Sequence, residues 1–527
     1  MKINARWQFW LGCLGYVLVT IIFFWPTIFH QAVPLPTDLV HNYLLGEEVQ
    51  SYNTYTRDAV VQLYPYSDYI FNSYKHWQLP LYNPYIFSGV SFFNGQSAAF
   101  SPINLLIPFF NKSLDFFTAN IIIYFFLAGL GMFIFLRRDV HPGLAWAAGL
   151  AWQLSGPMIV WLEWGTIDGV LAFFPLTLWA VYKLVYSDKW YWGIPAVIFN
   201  YAMLTAGHVQ FYLYALIVVV LYASFLLWQN RQHLSRHKIL SLTGWMIVQG
   251  IIMVSLLYPF MVQLGLSHRA LSTNNSQLSV EHLILWILPN YWGDVTHFRA
   301  PLNYVETSVY VGIIPVLFFL ISLCIKKFIW QARHIFWLVI FCSVLGYVFI
   351  PNSLFVTVPP MRAIFILDFI VIILAAYFQD WLFSKKIYMS WICIGLGMLM
   401  FFDQWSVMHG YNPQQSREPL TNPPAYVQAI QQAKPQALIY SELSPVNLYG
   451  LYGIRSIFGY DSTYPQTYFK SIKQHGKIIS HKNILNAKIN DVDFLRSLQV
   501  DYIVTQRELA LPVFFQQDGI KVYDVLD

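Results

Sequence analysis

Charged residues are scarce in this 527-residue chain, at 11% of the sequence, whereas soluble globular domains carry about 25%. Apolar residues make up 57%, and they recur in runs of about 17 or more, long enough to cross the hydrocarbon core of a bilayer as helices. The deficit of charge therefore excludes an ordinary soluble domain and indicates an α-helical polytopic membrane protein.

Several motifs of soluble enzymes are also absent. The sequence has no glycine-rich phosphate loop, no His-Glu-x-x-His and no nucleophile elbow, which disfavours ATP or a nucleotide sugar as a substrate. The net charge of +5 is spread along the chain and predicts no nucleic-acid partner. Four cysteines, none at metal-site spacing, all fall inside predicted spans and predict no disulfide framework: Cys13, Cys324, Cys342 and Cys393.

The apolar runs predict about 11 membrane spans, and the basic N-terminal run is interpreted as a retained first span. The predicted spans are 9–29, 116–136, 143–162, 168–186, 190–206, 208–228, 241–263, 309–325, 335–350, 362–380 and 387–405. With the N-terminus inside, the short inner loops hold 14 basic residues and the longer outer loops only six. This bias predicts that residues 30–115, 264–308 and everything after about 406 face the extracytoplasmic side.

Two segments carry most of the polar sequence, and both are predicted to lie on the outer side. Residues 30–115 form an unusually long loop, rich in tyrosine, phenylalanine, amides, glycine and proline. Residues 406–527 contain short β-type runs beside a helical pattern, which predicts a small extracytoplasmic α/β domain. The predicted division is therefore a transmembrane domain over 1–405, with its long loop, and a second domain over 406–527.

The long first loop offers aromatic faces beside amide side chains, a surface that suits sugar rings. Asp58 and Asp68 are its candidate acid–base groups. Asp58 is a candidate general base or metal ligand, with the capping of a helix over 58–63 as the alternative. Gln62, one helical turn further on, and the adjacent Tyr64 are candidate substrate contacts. A purely structural cap of aromatic interfacial helices remains the alternative for the whole loop.

Further candidates are distributed along the chain. Asn83 lies in a turn-forming sequence, so that its role is explained equally well by the turn, whereas Gln96 has no such local reason and is the better ligand candidate. Glu163 and Asp168 flank a short outer turn and are predicted to lie at the membrane interface. His208 begins a span on the outer side and is either a packing residue or a ligand.

Arginines in the outer loops are candidates for binding a phosphate. A guanidinium binds phosphate oxygens through two parallel hydrogen bonds. Arg269 and Arg362 are therefore candidate contacts for a phosphate-bearing lipid, with snorkelling to the interface as the alternative for each.

The chain resembles the bacterial YfhO-like multi-pass membrane proteins along its whole length. The segments that carry the resemblance, in order, are RDAVVQLYPY, LPLYNPYIFSGVSFFNGQSAAFSP, LAWQLSGPMIV, TAGHVQFY, LILWILPNYWGD, ETSVYVGIIPVL, VPPMRAIFIL and NLYGLYGIRSIFGYDSTYP. The chain departs from the family at Tyr82, where many members have tryptophan. That family is similar to the GT-C glycosyltransferases, whose long first outer loop carries an acidic active-site residue.

The resemblance implies an enzyme of the bacterial cell membrane that transfers a sugar from a polyprenyl-phosphate donor to a cell-envelope polymer, with teichoic acids as the best-known acceptor class. It places the acidic residue at Asp58, leaves a divalent metal as an open cofactor, and implies polyprenyl-phosphate sugar, envelope polymer and membrane lipid as partners. A lipid-linked sugar flippase and an envelope assembly scaffold are the alternatives. The sequence favours the enzyme over the flippase because its polar residues collect on one face of the membrane.

Overall fold

The computed structural model describes residues 5–46, 53–93, 97–268, 278–300, 302–349, 360–383, 389–443, 446–480 and 483–526. Its α-helices in chain order are α1 (Ala5–Phe23), α2 (Trp25–Phe29), α3 (Leu39–Leu45), α4 (Tyr64–Lys75), α5 (Ser113–Leu136), α6 (Pro142–Gln153), α7 (Gly156–Val160), α8 (Ile167–Tyr186), α9 (Gly193–Thr205), α10 (Val209–Asn230), α11 (Arg236–Leu266), α12 (Tyr304–Thr307), α13 (Ile313–Leu323), α14 (Lys326–Ile329), α15 (Ala332–Val348), α16 (Ile364–Phe383), α17 (Met389–Met408), α18 (Glu418–Thr421), α19 (Ala425–Ala433), α20 (Gln466–His475) and α21 (Val492–Ser497).

Short strands accompany the helices and are most numerous near the C-terminus. They are β1 (Tyr82–Asn83), β2 (Val90–Ser91), β3 (Leu438–Ser441), β4 (Arg455–Ser456), β5 (Gly459–Tyr460), β6 (Gly476–Ser480), β7 (Ile484–Ile489), β8 (Tyr502–Thr505), β9 (Val513–Gln517) and β10 (Ile520–Asp524).

Long apolar helices dominate the chain, as its composition predicts. Among the described residues, seven helices are long and apolar enough to cross a membrane, namely α1, α5, α8, α10, α11, α16 and α17, and α13 and α15 are shorter apolar helices. A helix lies over each predicted span, which confirms a multi-pass helical membrane protein. The number of spans and the sidedness remain predictions.

One predicted span, over 143–162, is broken in the structure. Helix α6 ends at Gln153, Ser155 is extended, and α7 begins at Gly156 with Pro157 in its first turn. Proline lacks a backbone N–H and is tolerated in the first turn of a helix but not in its interior. Because α6 has 12 residues, it extends over about 18 Å, less than the roughly 30 Å of a hydrocarbon core.

The chain divides into two compact units, and neither is continuous in sequence. The first unit comprises Met1–Ile28, Ala119–Val254 and Asn274–Asn412. Its central helix is α16, in which every residue from Ile364 to Gln379 is buried, and α6, α13 and α15 pack around it. This burial explains why the sequence of α16 is apolar on all sides rather than on one face.

The second unit comprises Phe29–Thr118, Ser255–Thr273 and Pro413–Asp527. It therefore joins the long first loop to the C-terminal segment, a division that differs from a linear boundary at residue 405. Backbone hydrogen bonds connect the two segments, with Val33 and Gln415 bonded in both directions at 2.8 and 3.0 Å and Ser456 N donating to Tyr85 O at 3.0 Å.

The C-terminal segment contains the predicted sheet structure. A five-stranded sheet has the order β4-β3-β8-β10-β9, in which β3 is parallel to β4 and β8 while β10 is antiparallel to β8 and β9. A three-stranded antiparallel sheet has the order β5-β7-β6. The short strand β5 is the element that carries residues to the candidate site.

Candidate functional site

Asp58 lies at an irregular point of a helix in the second unit. A 3-10 turn over Thr54–Thr56 begins the helix, with the Asn53 side chain accepting from Tyr55 N at 3.0 Å. A π-helical turn follows over Ala59–Leu63, and all five of its residues are buried. Such π turns are rare and occur frequently at functional sites. Asp58 makes no side-chain capping bond to this turn, so the helix-cap alternative is not what the structure shows.

The carboxylate of Asp58 lies beside a cation and a phenol. Arg57 Nε lies 3.5 Å from Asp58 Oδ1, and the Tyr43 hydroxyl lies near Arg57. The Tyr460 side chain, from strand β5, lies near enough to Asp58 to interact with its charge. Burial and the negative charge of Asp58 raise the pKa of Tyr460, which keeps the phenol protonated. The Arg57 cation stabilises the ionised carboxylate.

The sequence predictions for Gln62 and Tyr64 fall on buried residues. Gln62 is 2% exposed and lies near Tyr66, one turn further along the helix. Tyr64 is 6% exposed, with its hydroxyl 3.4 Å from Ser113 Oγ and its ring packed edge-on against Phe117. Gln62 and Tyr64 are thus both buried, and the Tyr64 side chain contacts Ser113 and Phe117.

Asp68 forms a separate polar cluster on α4. The Ser113 hydroxyl and Asn72 Nδ2 donate to its two carboxylate oxygens, the latter at 3.0 Å. Burial raises the pKa of Asp68 to about 6, although both hydrogen bonds oppose the shift. Asp68 follows Asp58 by ten residues, which is about 15 Å along an α-helix. The two carboxylates therefore do not belong to one site.

Asn83 has the turn-forming role that the sequence offers as its alternative. Asn83 is 3% exposed, and its Oδ1 accepts from Tyr85 N at 2.9 Å, which is the turn-forming role. Gln96 and Arg269 lie outside the described residues.

Arg362 lies in the first unit and is paired. Its Nε and Nη2 donate to Glu306 Oε1 at 3.0 and 2.7 Å, and its Nη1 donates to Gln210 Oε1 at 3.1 Å. The guanidinium has five N–H donors, so two remain. A small cavity with room for about one water molecule adjoins this cluster, and it is lined by Arg362 and Glu306 together with Trp161, Phe211 and Phe365. The cluster is therefore a basic group with an acidic counter-ion beside an aromatic cavity.

The remaining candidates of the first unit are buried. His208 is 5% exposed and its ring packs edge-on against Phe211. Glu163 and Asp168 are both 0% exposed, and the interfacial depth that the sequence predicts for both stays a prediction.

A metal at Asp58 fits these surroundings poorly. Among the described residues, no group of three or more histidine, cysteine, aspartate or glutamate side chains is placed to hold a metal ion. The neighbours of Asp58 are a guanidinium and a phenol, and a guanidinium repels a divalent cation. The arrangement suits a carboxylate that accepts a proton.

Residues of the C-terminal segment complete the site, and the sequence did not single them out. Asn447 donates from Nδ2 to Tyr460 O at 2.9 Å and accepts from Tyr460 N at 2.7 Å. The Tyr66 hydroxyl donates to Asp461 Oδ2 at 2.7 Å. These residues lie about 400 positions from Asp58, and no local pattern in the sequence links the two segments.

Comparison with solved structures finds transferases among the similar proteins. The chain is similar to the arabinofuranosyltransferase AftD from Mycobacteria, with a TM-score of 0.58 and 10% identity over 100% of this chain and 40% of AftD. A mutant of AftD has a TM-score of 0.60 and 9% sequence identity, over 100% of this chain and 42% of the AftD chain. The archaeal oligosaccharyltransferase AglB from Archaeoglobus fulgidus has a TM-score of 0.48 and 9% sequence identity, over 95% of this chain and 69% of the AglB chain. No protein-family model and no curated protein matches the sequence.

The likeness to AftD extends over the entire chain and shows that the chain has the same fold as that part of AftD. At 9–10% identity it establishes the fold alone. The chain spans about two fifths of the length of AftD. The narrower resemblance to YfhO-like proteins stays a prediction.

Proposed function

We propose that this protein is an integral-membrane glycosyltransferase that moves a sugar from a polyprenyl-phosphate donor to a cell-envelope polymer of the teichoic-acid kind, on the outer face of a bacterial membrane. The observation that carries the proposal is the position of Asp58. A carboxylate beside the Arg57 cation lies immediately before a π turn of the long first loop, in a chain with the fold of a solved arabinofuranosyltransferase.

The chemistry requires one base. The acceptor hydroxyl attacks the anomeric carbon of the sugar, and its proton passes to Asp58 as the new C–O bond forms. The bond from the anomeric carbon to the phosphate oxygen breaks, and its electron pair leaves with the polyprenyl phosphate. Because one displacement occurs, the anomeric configuration is inverted. Asp58 then returns the proton to solvent.

Other residues are assigned to binding rather than to bond making. Arg362 is a contact for the donor phosphate through its two remaining N–H groups, beside the aromatic cavity. Arg269 keeps the same proposed role from the sequence. Gln62 keeps the contact with the sugar or the acceptor that the sequence predicts for it.

A transfer assay in detergent tests the proposal and separates an enzyme from a flippase. The purified protein is mixed with a panel of undecaprenyl-phosphate-linked hexoses and pentoses and with purified teichoic acid, without any bilayer. An enzyme forms glycosylated polymer under these conditions, whereas a flippase forms none.

Asp58→Asn provides the matched control, since it keeps the shape of the side chain but removes the base. We expect transfer to fall by about 10²–10⁴-fold, with the thermal unfolding midpoint near that of the wild type. The absence of product from well-folded wild-type protein with every donor would refute the glycosyltransferase. Full activity of Asp58→Asn would show that Asp58 is not the base and that another carboxylate has this role.

A further inference from the structure

The hairpin of strands β6 and β7 has two adjacent positive charges on its outward face. Lys477 of β6 lies directly opposite Lys488 of β7, and both side chains are exposed. Neither lysine belongs to an ion pair of the described residues. Like charges directly opposite each other on neighbouring strands destabilise a sheet. The pair therefore weakens the hairpin unless an anion compensates it.

The sequence around the hairpin carries charge of one sign only. Between Asp461 and Asp491 it has five lysines and no acidic residue. Protection of a sheet edge, a common role of lysine, explains Lys477, because β6 is an edge strand of its sheet. It does not explain Lys488, because β7 is the central strand in the order β5-β7-β6.

Amide side chains lie on the same face on either side of Lys488. Residues two apart on a strand point to the same side, and the alternate residues of β7 are buried: Leu485, Ala487 and Ile489. Asn486, which is half-buried, and Asn490, which is exposed directly after the strand, therefore share the outward face with Lys488. Each lies about 7 Å from it along the chain.

Arg507 continues this row and is held in place by a carboxylate. Its Nη1 donates to Asn490 Oδ1 at 3.4 Å and its Nε donates to Glu442 Oε2 at 2.7 Å, while its Nη2 donates to Glu442 Oε1. The hydroxyls of Tyr440 and Thr505 donate to the two Glu442 oxygens at 3.0 and 2.5 Å. These bonds use three of the five guanidinium N–H groups. Two therefore remain for a ligand, on a side chain that is 37% exposed.

We propose that this face of the C-terminal segment binds the backbone of a poly(polyol phosphate), the acceptor polymer, along the row from Lys477 to Arg507. The cations contact the phosphates, and the asparagine amides contact the hydroxyls of the polyol between them. The role of the polymer as acceptor rests on the proposed function, whereas its binding to this face does not.

Charge complementarity favours a polyanion over other ligands rich in oxygen. Lys477, Lys488 and Arg507 with the single counter-ion Glu442 leave a net charge of +2 on the row, which a neutral glycan would not compensate. The row extends over about 12 Å, from the spacings within and between strands. A chain with repeated phosphates contacts all of it, and linked contacts bind more tightly than separate ones. Amides that alternate with a cation fit hydroxyls that alternate with phosphates, an order that lipid headgroups lack.

Binding to the full-length protein in detergent provides the first test. The probe is fluorescently labelled poly(glycerol phosphate) without sugar substituents, and fluorescence polarisation measures its affinity. The double variant Lys477→Gln, Lys488→Gln should bind roughly threefold to thirtyfold more weakly, the effect of losing two exposed ion pairs. Its affinity should also depend less on salt concentration. In the transfer assay it should raise KM for the polymer and leave kcat and KM for the donor unchanged.

The double variant Lys470→Gln, Lys473→Gln is the matched control. Both lysines are exposed on α20, so the control loses the same charge from a neighbouring element. We expect its affinity for the polymer to stay within about twofold of the wild type, because salt screens exposed charges that do not contact the ligand. Equal losses of affinity in the two double variants, or no binding by the wild type, would overturn the inference.

Thermal unfolding tests whether the lysine pair serves binding rather than folding. Lys488→Gln removes the repulsion with Lys477, so its unfolding midpoint without polymer should equal or exceed that of the wild type. The polymer should raise the midpoint of the wild type more than that of the variant. A variant that unfolds well below the wild type would make Lys488 a structural residue and overturn the inference.

Phosphatidylglycerol added to the micelles distinguishes a lipid surface from the polymer. We expect it to leave the polymer bound. Displacement of the polymer by this lipid, dependent on Lys477 and Lys488, would assign the face to lipid headgroups and overturn the inference. A wild-type protein that binds the polymer through these lysines but transfers no sugar refutes the proposed function alone.

Discussion

At the scale of the residue, the structure changes what a test of Arg362 has to measure. Glu306 is the counter-ion of Arg362. Removing one member of a partly buried ion pair leaves the charge of the other uncompensated. Loss of stability in Arg362→Ala would therefore say little about phosphate. Glu306→Gln is the more informative change, because it keeps a hydrogen-bond acceptor and frees the positive charge.

If Arg362 binds the donor phosphate, Glu306→Gln should lower KM for a polyprenyl-phosphate sugar. Arg362→Lys should raise it, since lysine lacks the planar fork, and Arg362→Ala should cost about 2 kcal/mol in kcat/KM. Steady-state kinetics with varied donor at fixed acceptor provide the measurement. If KM for the donor is the same in wild type and Glu306→Gln, the Arg362–Glu306 pair has a structural role only.

Asp68 predicts a dependence of stability on pH. Its pKa of about 6 in the folded state lies above the ordinary value, which is about 3.9 in an unfolded chain. Between these values the folded protein holds a proton that the unfolded chain has released, so stability falls as pH rises from about 4 to about 6. The full effect is about 3 kcal/mol at most.

Asp68→Asn removes this titration and keeps the shape, because an amide can accept from Asn72 and donate to the Ser113 hydroxyl. We expect the unfolding midpoint of the variant to exceed that of wild type above pH 7, and the difference to shrink towards pH 4. Scanning fluorimetry in detergent from pH 4 to 8 measures the unfolding midpoints of the wild type and the variant. Parallel curves for the two proteins would contradict the prediction.

At the scale of the element, helices were predictable because their signal is local. A run of apolar residues defines α16, and even its burial on all sides follows from its composition. The break between α6 and α7 was missed because an apolar run conceals an interruption, although Pro157 marks the place. The π turn after Asp58 was not predictable, since nothing in the residues Ala59–Leu63 distinguishes it from an α-helical turn.

Strand β5 depends on a glycine, and this gives a test of its docking. A Cβ at position 459 would lie 2.8 Å from Ile86 Cβ and 3.2 Å from Asn447 Oδ1. Overpacking of this kind costs about 1–3 kcal/mol, so Gly459→Ala should lower both the unfolding midpoint and the rate of transfer. Gly244→Ala is the control, because a Cβ there meets nothing within 4 Å, and we expect it to be neutral or slightly stabilising. Equal stability of the two variants would contradict close docking of β5.

At the scale of the whole molecule, the association of distant segments could not be derived from the sequence. Thr37 bonds to the side chain of Gln415 across 378 positions, and neither residue carries a signal of the other. The sequence did predict the polar character of both segments, whereas the role of Asp58 stays a prediction. It did not predict that the Tyr66 hydroxyl of the long first loop donates to Tyr460 O and Asp461 Oδ2, because these contacts form only when the two segments fold into one unit.

The sidedness of the chain is the prediction on which an outer-leaflet mechanism depends. The excess of 14 basic residues over six places the long first loop and the C-terminal segment outside, and both contribute to the Asp58 site. In a background without the natural cysteines, Lys75→Cys and Lys434→Cys should react with a membrane-impermeant maleimide in intact cells. Lys326→Cys, on a predicted inner loop, should react only after permeabilisation. Protection of position 75 or 434, or labelling of position 326 in intact cells, would show that the predicted orientation is wrong. Asp58 could then not act on a polyprenyl-phosphate donor in the outer leaflet.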